Sequence, residues 1–113
     1  SPYKYVLNGA AGQDIGPTCP APSIRGTVVG VDGSPLAGVA IRAIDEWGNV
    51  YTGVSKQDPP GAYDMPVTAV IGSYQVLVIE NEAPLSAAVL VRYSEAQGAQ
   101  NAVCHVLNWR RVR

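Results

Sequence analysis

Turn-forming residues recur at short intervals between β-branched runs in this chain, and that punctuation admits few folds. Ile24-Arg25-Gly26 opens the series, and Asp32-Gly33-Ser34-Pro35-Leu36-Ala37-Gly38-Val39 holds the first turn. Gly61-Ala62-Tyr63 and Gly72-Ser73-Tyr74 punctuate the later runs. Short runs bounded in this way, with no sustained helical period, predict an antiparallel β-sandwich rather than an α/β fold. The expected architecture is all-β: seven or eight short strands in an antiparallel Greek-key sandwich.

The runs can be placed along the chain. Residues 3–7 are a short candidate strand, and residues 1–23 as a whole read as an N-terminal lead to a sandwich spanning 24–113. Strands are expected at 24–31, 39–45, 50–55, 62–65, 74–79, 86–93 and 103–112, with a mostly polar loop at 95–101. In 39–45, Val39, Ile41 and Ala43 share one face and Ala40, Arg42 and Ile44 the other. Gly26 and Gly30 interrupt the 24–31 run, which predicts a bulge or a close backbone approach there. Gly33 and Gly38 suit turn positions that a Cβ would strain. Tyr63 and Tyr74 are expected to pack their rings at the core edge and direct their hydroxyls to water or backbone.

Composition narrows the functional classes. Charged residues are 15% of the 113 and hydrophobic residues 47%, enough apolar side chains for one core and too many for a disordered chain. A formal charge of −1 gives no attraction for nucleic acid or anionic lipid. No apolar run is long enough to span a bilayer as a helix, so membrane insertion is not expected. The chain begins at Ser1 without a signal-like segment and reads as a piece of a longer protein.

Cys19 lies in the proline-rich stretch Gly16-Pro17-Thr18-Cys19-Pro20-Ala21-Pro22, and Cys104 in the final apolar run. A Cys19–Cys104 disulfide would fasten the lead to the sandwich, and two cysteines in a small all-β chain fit an oxidising compartment. The alternative is a pair of unrelated thiols. Two distant cysteines and a single histidine lack the usual metal-ligand spacing, so neither metal nor cofactor is expected.

Ile24-Arg25-Gly26-Thr27-Val28, the Asp32–Ile41 turn and strand, Gly61-Ala62-Tyr63 and Gly72-Ser73-Tyr74-Gln75-Val76 together resemble the carboxypeptidase regulatory-like domains. The resemblance covers about half of the chain, residues 24–79, and implies a transthyretin-like seven-stranded sandwich, of prealbumin-like or immunoglobulin-like type. It implies little about activity. Where that family often has Thr-Asp before the Gly-x-Tyr element, this chain has Gln57-Asp58-Pro59-Pro60.

Catalysis has few candidate residues. A nucleophile needs a base beside it, and the one histidine, His105, follows Cys104 on a predicted strand, where neighbours point to opposite faces. His105 is therefore expected at the sandwich surface or edge. Asp45, Glu46, Asp58, Asp64, Glu80 and Glu82 mostly fall in or beside turns, where carboxylates are commonly solvated. Binding residues are easier to nominate. Trp47 on a hairpin turn, with Tyr51 four residues on, is a candidate platform for a sugar ring. Trp109-Arg110-Arg111 near the C-terminus is the one basic cluster and a candidate anchor to a neighbouring domain. The function expected is a non-catalytic extracellular or cell-surface module with a structural, assembly or protein-interaction role. Its partners would be neighbouring domains or extracellular proteins. Carbohydrate binding is the alternative, and nucleic acid is not an expected partner.

Overall fold

The alternating runs form strands in the computed structural model, which describes residues 2–68, 72–93 and 102–113. Among these residues there is no helix. Eleven strands fall into two sheets: β1 (Tyr5–Leu7), β2 (Gly12–Ile15), β3 (Ser23–Val29), β4 (Ala40–Asp45), β5 (Val50–Val54), β6 (Ala62–Pro66), β7 (Gly72–Glu80), β8 (Ala83–Pro84), β9 (Val89–Tyr93), β10 (Val103–Val106) and β11 (Trp109–Arg111). The loop expected at 95–101 lies outside the described residues.

The second sheet is a local product. β4 pairs with β5 through the Glu46-Trp47-Gly48 turn, β7 lies on the other side of β4, and β8 and β9 pair with β7. Every pairing in it is antiparallel. Burial alternates along β4 as the sequence predicts, with Ile41 and Ala43 facing the core.

The first sheet is assembled from the two ends of the chain. β3 is its axis: β6 pairs antiparallel along one side, while β10 and then β11 run parallel along the other. β2 and β1 line the outside of β10 and β11. The purely antiparallel expectation is therefore corrected. β9 belongs to one layer and β10 to the other, so no tight hairpin sets the direction of the returning strand. The lead also differs from expectation, because residues 1–23 hold two strands of this sheet, β1 and β2, rather than one short strand outside it.

The single strand expected at 103–112 is broken in two at Leu107 and Asn108, and the break has a visible cause. Leu107 N–H donates to the Arg25 carbonyl (2.8 Å), while the Leu107 carbonyl accepts from the Tyr63 hydroxyl (2.6 Å). Asn108 Oδ1 accepts from Thr27 N–H (2.9 Å) and the Thr27 hydroxyl (3.2 Å), and the Asn108 carbonyl accepts from Asn8 N–H (2.7 Å). Gly26 makes this possible, since a Cβ there would lie 2.0 Å from the Leu107 carbonyl oxygen. The close approach predicted for Gly26 is present.

Both sheets feed one core. Ile24, Val28, Tyr63, Met65, Leu107 and Trp109 come from the first layer, and Ile41, Tyr74, Val76, Val78, Val91 and Tyr93 from the second. The Tyr63 and Tyr74 hydroxyls bond to backbone carbonyls, those of Leu107 and Thr68, as their amphipathic character requires. Cys19 and Cys104 are joined in a disulfide across 85 residues, with Cα atoms 5.7 Å apart. With Ala102 they form a small satellite core that holds the proline-rich stretch against β10.

Candidate functional site

The β4–β5 hairpin displays Trp47 because its turn is held from below. The Asp45 carboxylate accepts hydrogen bonds from the backbone N–H of Trp47 (2.9 Å) and of Asn49 (2.8 Å), and from the Asn49 side chain (2.8 Å). Burial pushes the Asp45 carboxyl up, but these bonds outweigh it and hold the group below the usual carboxylate range. Gly48 closes the turn at φ 84°, a region that favours glycine. Glu46 Oε1 accepts from Ser73 N–H (2.8 Å) and ties the hairpin to the start of β7.

Trp47 is 61% exposed. Its rim rests above Gly72, where a Cβ would lie 3.1 Å from Cη2. Beside it is a recess of about 510 Å³ lined by Asp45, Trp47, Asn49, Val50, Tyr51 and Thr68. Tyr51 is anchored from within by a file of rings. Its centroid lies 5.7 Å from Tyr74, Tyr74 lies 5.5 Å from Tyr93, and Tyr93 lies 4.7 Å from His105. Trp47 and Tyr51 are therefore brought together at one recess.

The C-terminal candidates are placed elsewhere. Trp109 is 1% exposed and donates from Nε1 to the Tyr63 hydroxyl at 3.2 Å, so it is a core residue and not a surface anchor. The reason is register: Trp109 pairs with Val28 of β3, whose side chain also faces the core. Arg111 lies over the ring of Tyr5, 5.9 Å from its centroid, and Arg110 is exposed. Both sit on β11 in the first sheet, whereas Trp47 and Tyr51 belong to the second sheet's hairpin.

Several of the groups that could do chemistry are held within the fold. His105 is buried, contrary to the surface position expected, and its Nε2 lies 3.2 Å from the Arg92 carbonyl. Burial lowers its pKa, partly countered by that bond. Asp32 accepts from the Ser34 hydroxyl (2.6 Å), Glu82 forks onto Arg42 (2.7 and 3.0 Å), and Asp14 pairs with Arg25. Arg42 holds the Glu82 carboxyl below its usual range, and the Ser34 bonds do the same for Asp32. Among the described residues no group of three or more His, Cys, Asp or Glu side chains is placed to hold a metal ion.

A surface that the residues alone do not single out lies on the outer face of the second sheet. Cross-strand rows run Val50–Ile44–Gln75–Leu90, then Thr52–Arg42–Leu77, then Val54–Ala40–Ile79–Pro84. Val50, Val54 and Leu90 are each more than half exposed. The Arg42–Glu82 pair brings charge to the middle row of this mostly apolar face. The signal is present in the alternation of Ala40, Arg42 and Ile44, but it acquires meaning only when β5, β7 and β9 are laid beside β4. No protein-family model matches the chain, and no curated protein matches it.

Proposed function

We propose that this chain is a non-catalytic, prealbumin-like Greek-key sandwich, akin to the carboxypeptidase regulatory-like domains. It serves as a structural, assembly or protein-interaction module of a larger secreted or surface protein. The apolar outer face of the second sheet carries this reading. Exposed Val50 and Val54 on β5 and Leu90 on β9 lie at the two sides of this mostly apolar face, and apolar surface of this kind marks association sites. Engagement of His105, both cysteines and the carboxylates of Asp45, Glu46 and Glu82 within the fold supports a binding role over a catalytic one. A disulfide between the chain's two cysteines supports an extracellular or cell-surface setting.

The test uses the purified chain against the extracellular proteins of its source. A partner retained by the wild type and lost with Leu90→Glu is the expected result. Turnover of glycoside, ester or peptide substrates by the chain would overturn the reading.

Carbohydrate binding is the second reading, and the exposed indole beside the Trp47–Tyr51 recess favours it. Glycan-array binding that disappears in Trp47→Ala would establish it.

A further inference from the structure

We infer that the outer edge of β5 is a self-complementary pairing strand that joins this domain to a second copy of itself. The inference rests on reading the chain as an interaction module and names the partner for one part of that surface.

Backbone direction is the first ground for it. Asp45 N–H donates to the Asn49 carbonyl (3.1 Å), and Ser55 N–H donates to the Val39 carbonyl (2.9 Å). With the register between these two bonds continuous, residues 49, 51, 53 and 55 turn their backbone groups toward β4. Val50, Thr52 and Val54 turn theirs the other way, out of the sheet. Among the described residues nothing pairs with that side of β5. Exposed edges are normally blunted by a proline, a bulge or a charge. β5 has none of these, and no charged residue occurs between Asn49 and Ser55.

The composition of the strand then selects the occupant. A two-fold axis through Thr52 sets Val50 opposite Val54 of the second copy, Thr52 opposite Thr52, and Tyr51 opposite Gly53. The outward N–H and C=O groups of Val50, Thr52 and Val54 would all find partners in that register. Val–Val and Thr–Thr are favourable cross-strand pairs on the outer face. On the inner face Tyr51 stays against its own Tyr74, and Gly53 is backed by Met65 of β6, so the register rests on the outer-face pairs and the backbone. The pleat already keeps the two faces apart: Val50, Thr52 and Val54 are exposed, while Gly53 is buried. No other antiparallel register of β5 on itself pairs all three outward residues. The edge is short, well under the ~1,200 Å² of a stable interface, so the pairing is weak, with Kd of roughly 10 µM to 1 mM.

Residue 52 meets itself on the axis, which makes a charge swap decisive. Sedimentation equilibrium of the intact chain up to about 1 mM should show a reversible dimer. Thr52→Lys and Thr52→Glu should each be monomeric, because like charges meet across the axis, and their equimolar mixture should recover the dimer. That recovery also shows that both variants are folded. Leu90→Glu, on β9 at the far side of the sheet, should leave the dimer unchanged. A wild type that stays monomeric throughout overturns the inference. So does a dimer that survives in both single variants, a mixture that fails to associate, a dimer lost in Leu90→Glu, or a β5 edge that binds only a different protein. In each of these cases a partner lost with Leu90→Glu would still uphold the module reading, so the two failures are distinguishable.

Discussion

The two sheets of this domain are stabilised in different ways. The second is built from hairpins whose turns are specified within a few residues, as Asp45 specifies the β4–β5 turn through its bonds to Trp47 and Asn49. The first joins strands from opposite ends of the chain: Tyr5 pairs with Arg111, and Cys104 lies beside both Asp14 and Ser23. Closing loops of that length costs conformational entropy that local contacts do not. The difference teaches where covalent help is needed. The disulfide is in the sheet that must bring the termini together, and Ser23 donates to the Cys104 sulfur (3.0 Å) at its centre.

The sharpest way to break this contrast is to remove the cross-link. Cys19→Ala with Cys104→Ala frees a loop of 85 residues, and loop-closure entropy puts the loss at about 4–5 kcal/mol. Chemical denaturation measures it. Because domains of this size hold only about 5–15 kcal/mol in total, the loss should lower the midpoint strongly. Hydrogen exchange should rise first in β1, β2 and β10, with β4 and β7 affected only at global unfolding. A loss below about 1 kcal/mol would mean that strand pairing alone holds the termini.

A second, smaller perturbation probes the same sheet without touching the disulfide. Gly26→Ala drives a Cβ to within 2.0 Å of the Leu107 carbonyl, a backbone atom that cannot swing aside. The cost should reach about 3 kcal/mol, the upper range for overpacking. Gly12→Ala on β2 is the control, since nothing lies within 4 Å of its added Cβ, and it should be close to neutral. Equal effects at the two positions would remove the β10–β11 break from the account of stability.

In the second sheet the comparable substitution should be milder. Gly72 has φ 145°, and an added Cβ would meet Glu46 Oε1 at 2.8 Å and Trp47 Cη2 at 3.1 Å. Both are ends of side chains on a hairpin tip, so they can move. Gly72→Ala should cost about 1–2 kcal/mol, mostly from the backbone conformation. It should also shift the fluorescence of the exposed Trp47 while leaving the buried Trp109 unchanged.

The same division explains what is legible in the residues. Turn chemistry locates the 39–45, 50–55, 62–65 and 74–79 runs, and alternation assigns Ile41 and Ala43 to the core side. Gly33 and Gly38 take positive φ as their turn positions require. Long-range partners leave no such local mark. Nothing in Gly12-Gln13-Asp14-Ile15 marks it as a strand, because its β-character comes from pairing with β10. The break at Leu107 and Asn108 arises from Gly26 and from a bond to Thr27 that spans 81 residues. Trp47 and Tyr51 are recognisable as neighbours because a turn of known length joins their strands. The burial of Trp109 and His105 is illegible locally, being decided by β3 and by the ring of Tyr93, neither of which is near in sequence.

His105 gives the finest test of the contrast, since it is the one titratable imidazole and it lies in the end-to-end sheet. Burial against Tyr93 lowers its pKa below the ordinary value of 6.5. Above that value the ring is neutral in both folded and unfolded chains, and pH has no purchase on it. As pH falls through 6.5 the unfolded chain takes up a proton that the folded chain refuses, so stability declines with acidification. Asp32, Asp45 and Glu82, whose carboxyls lie below their usual range, add their own losses only at lower pH, below about 4.5. Unfolding free energies should therefore fall modestly between about pH 7 and pH 5, and His105→Gln should flatten that interval whatever it does to absolute stability. A slope that persists in His105→Gln would move the acid sensitivity away from the first sheet and erase this part of the difference between the layers.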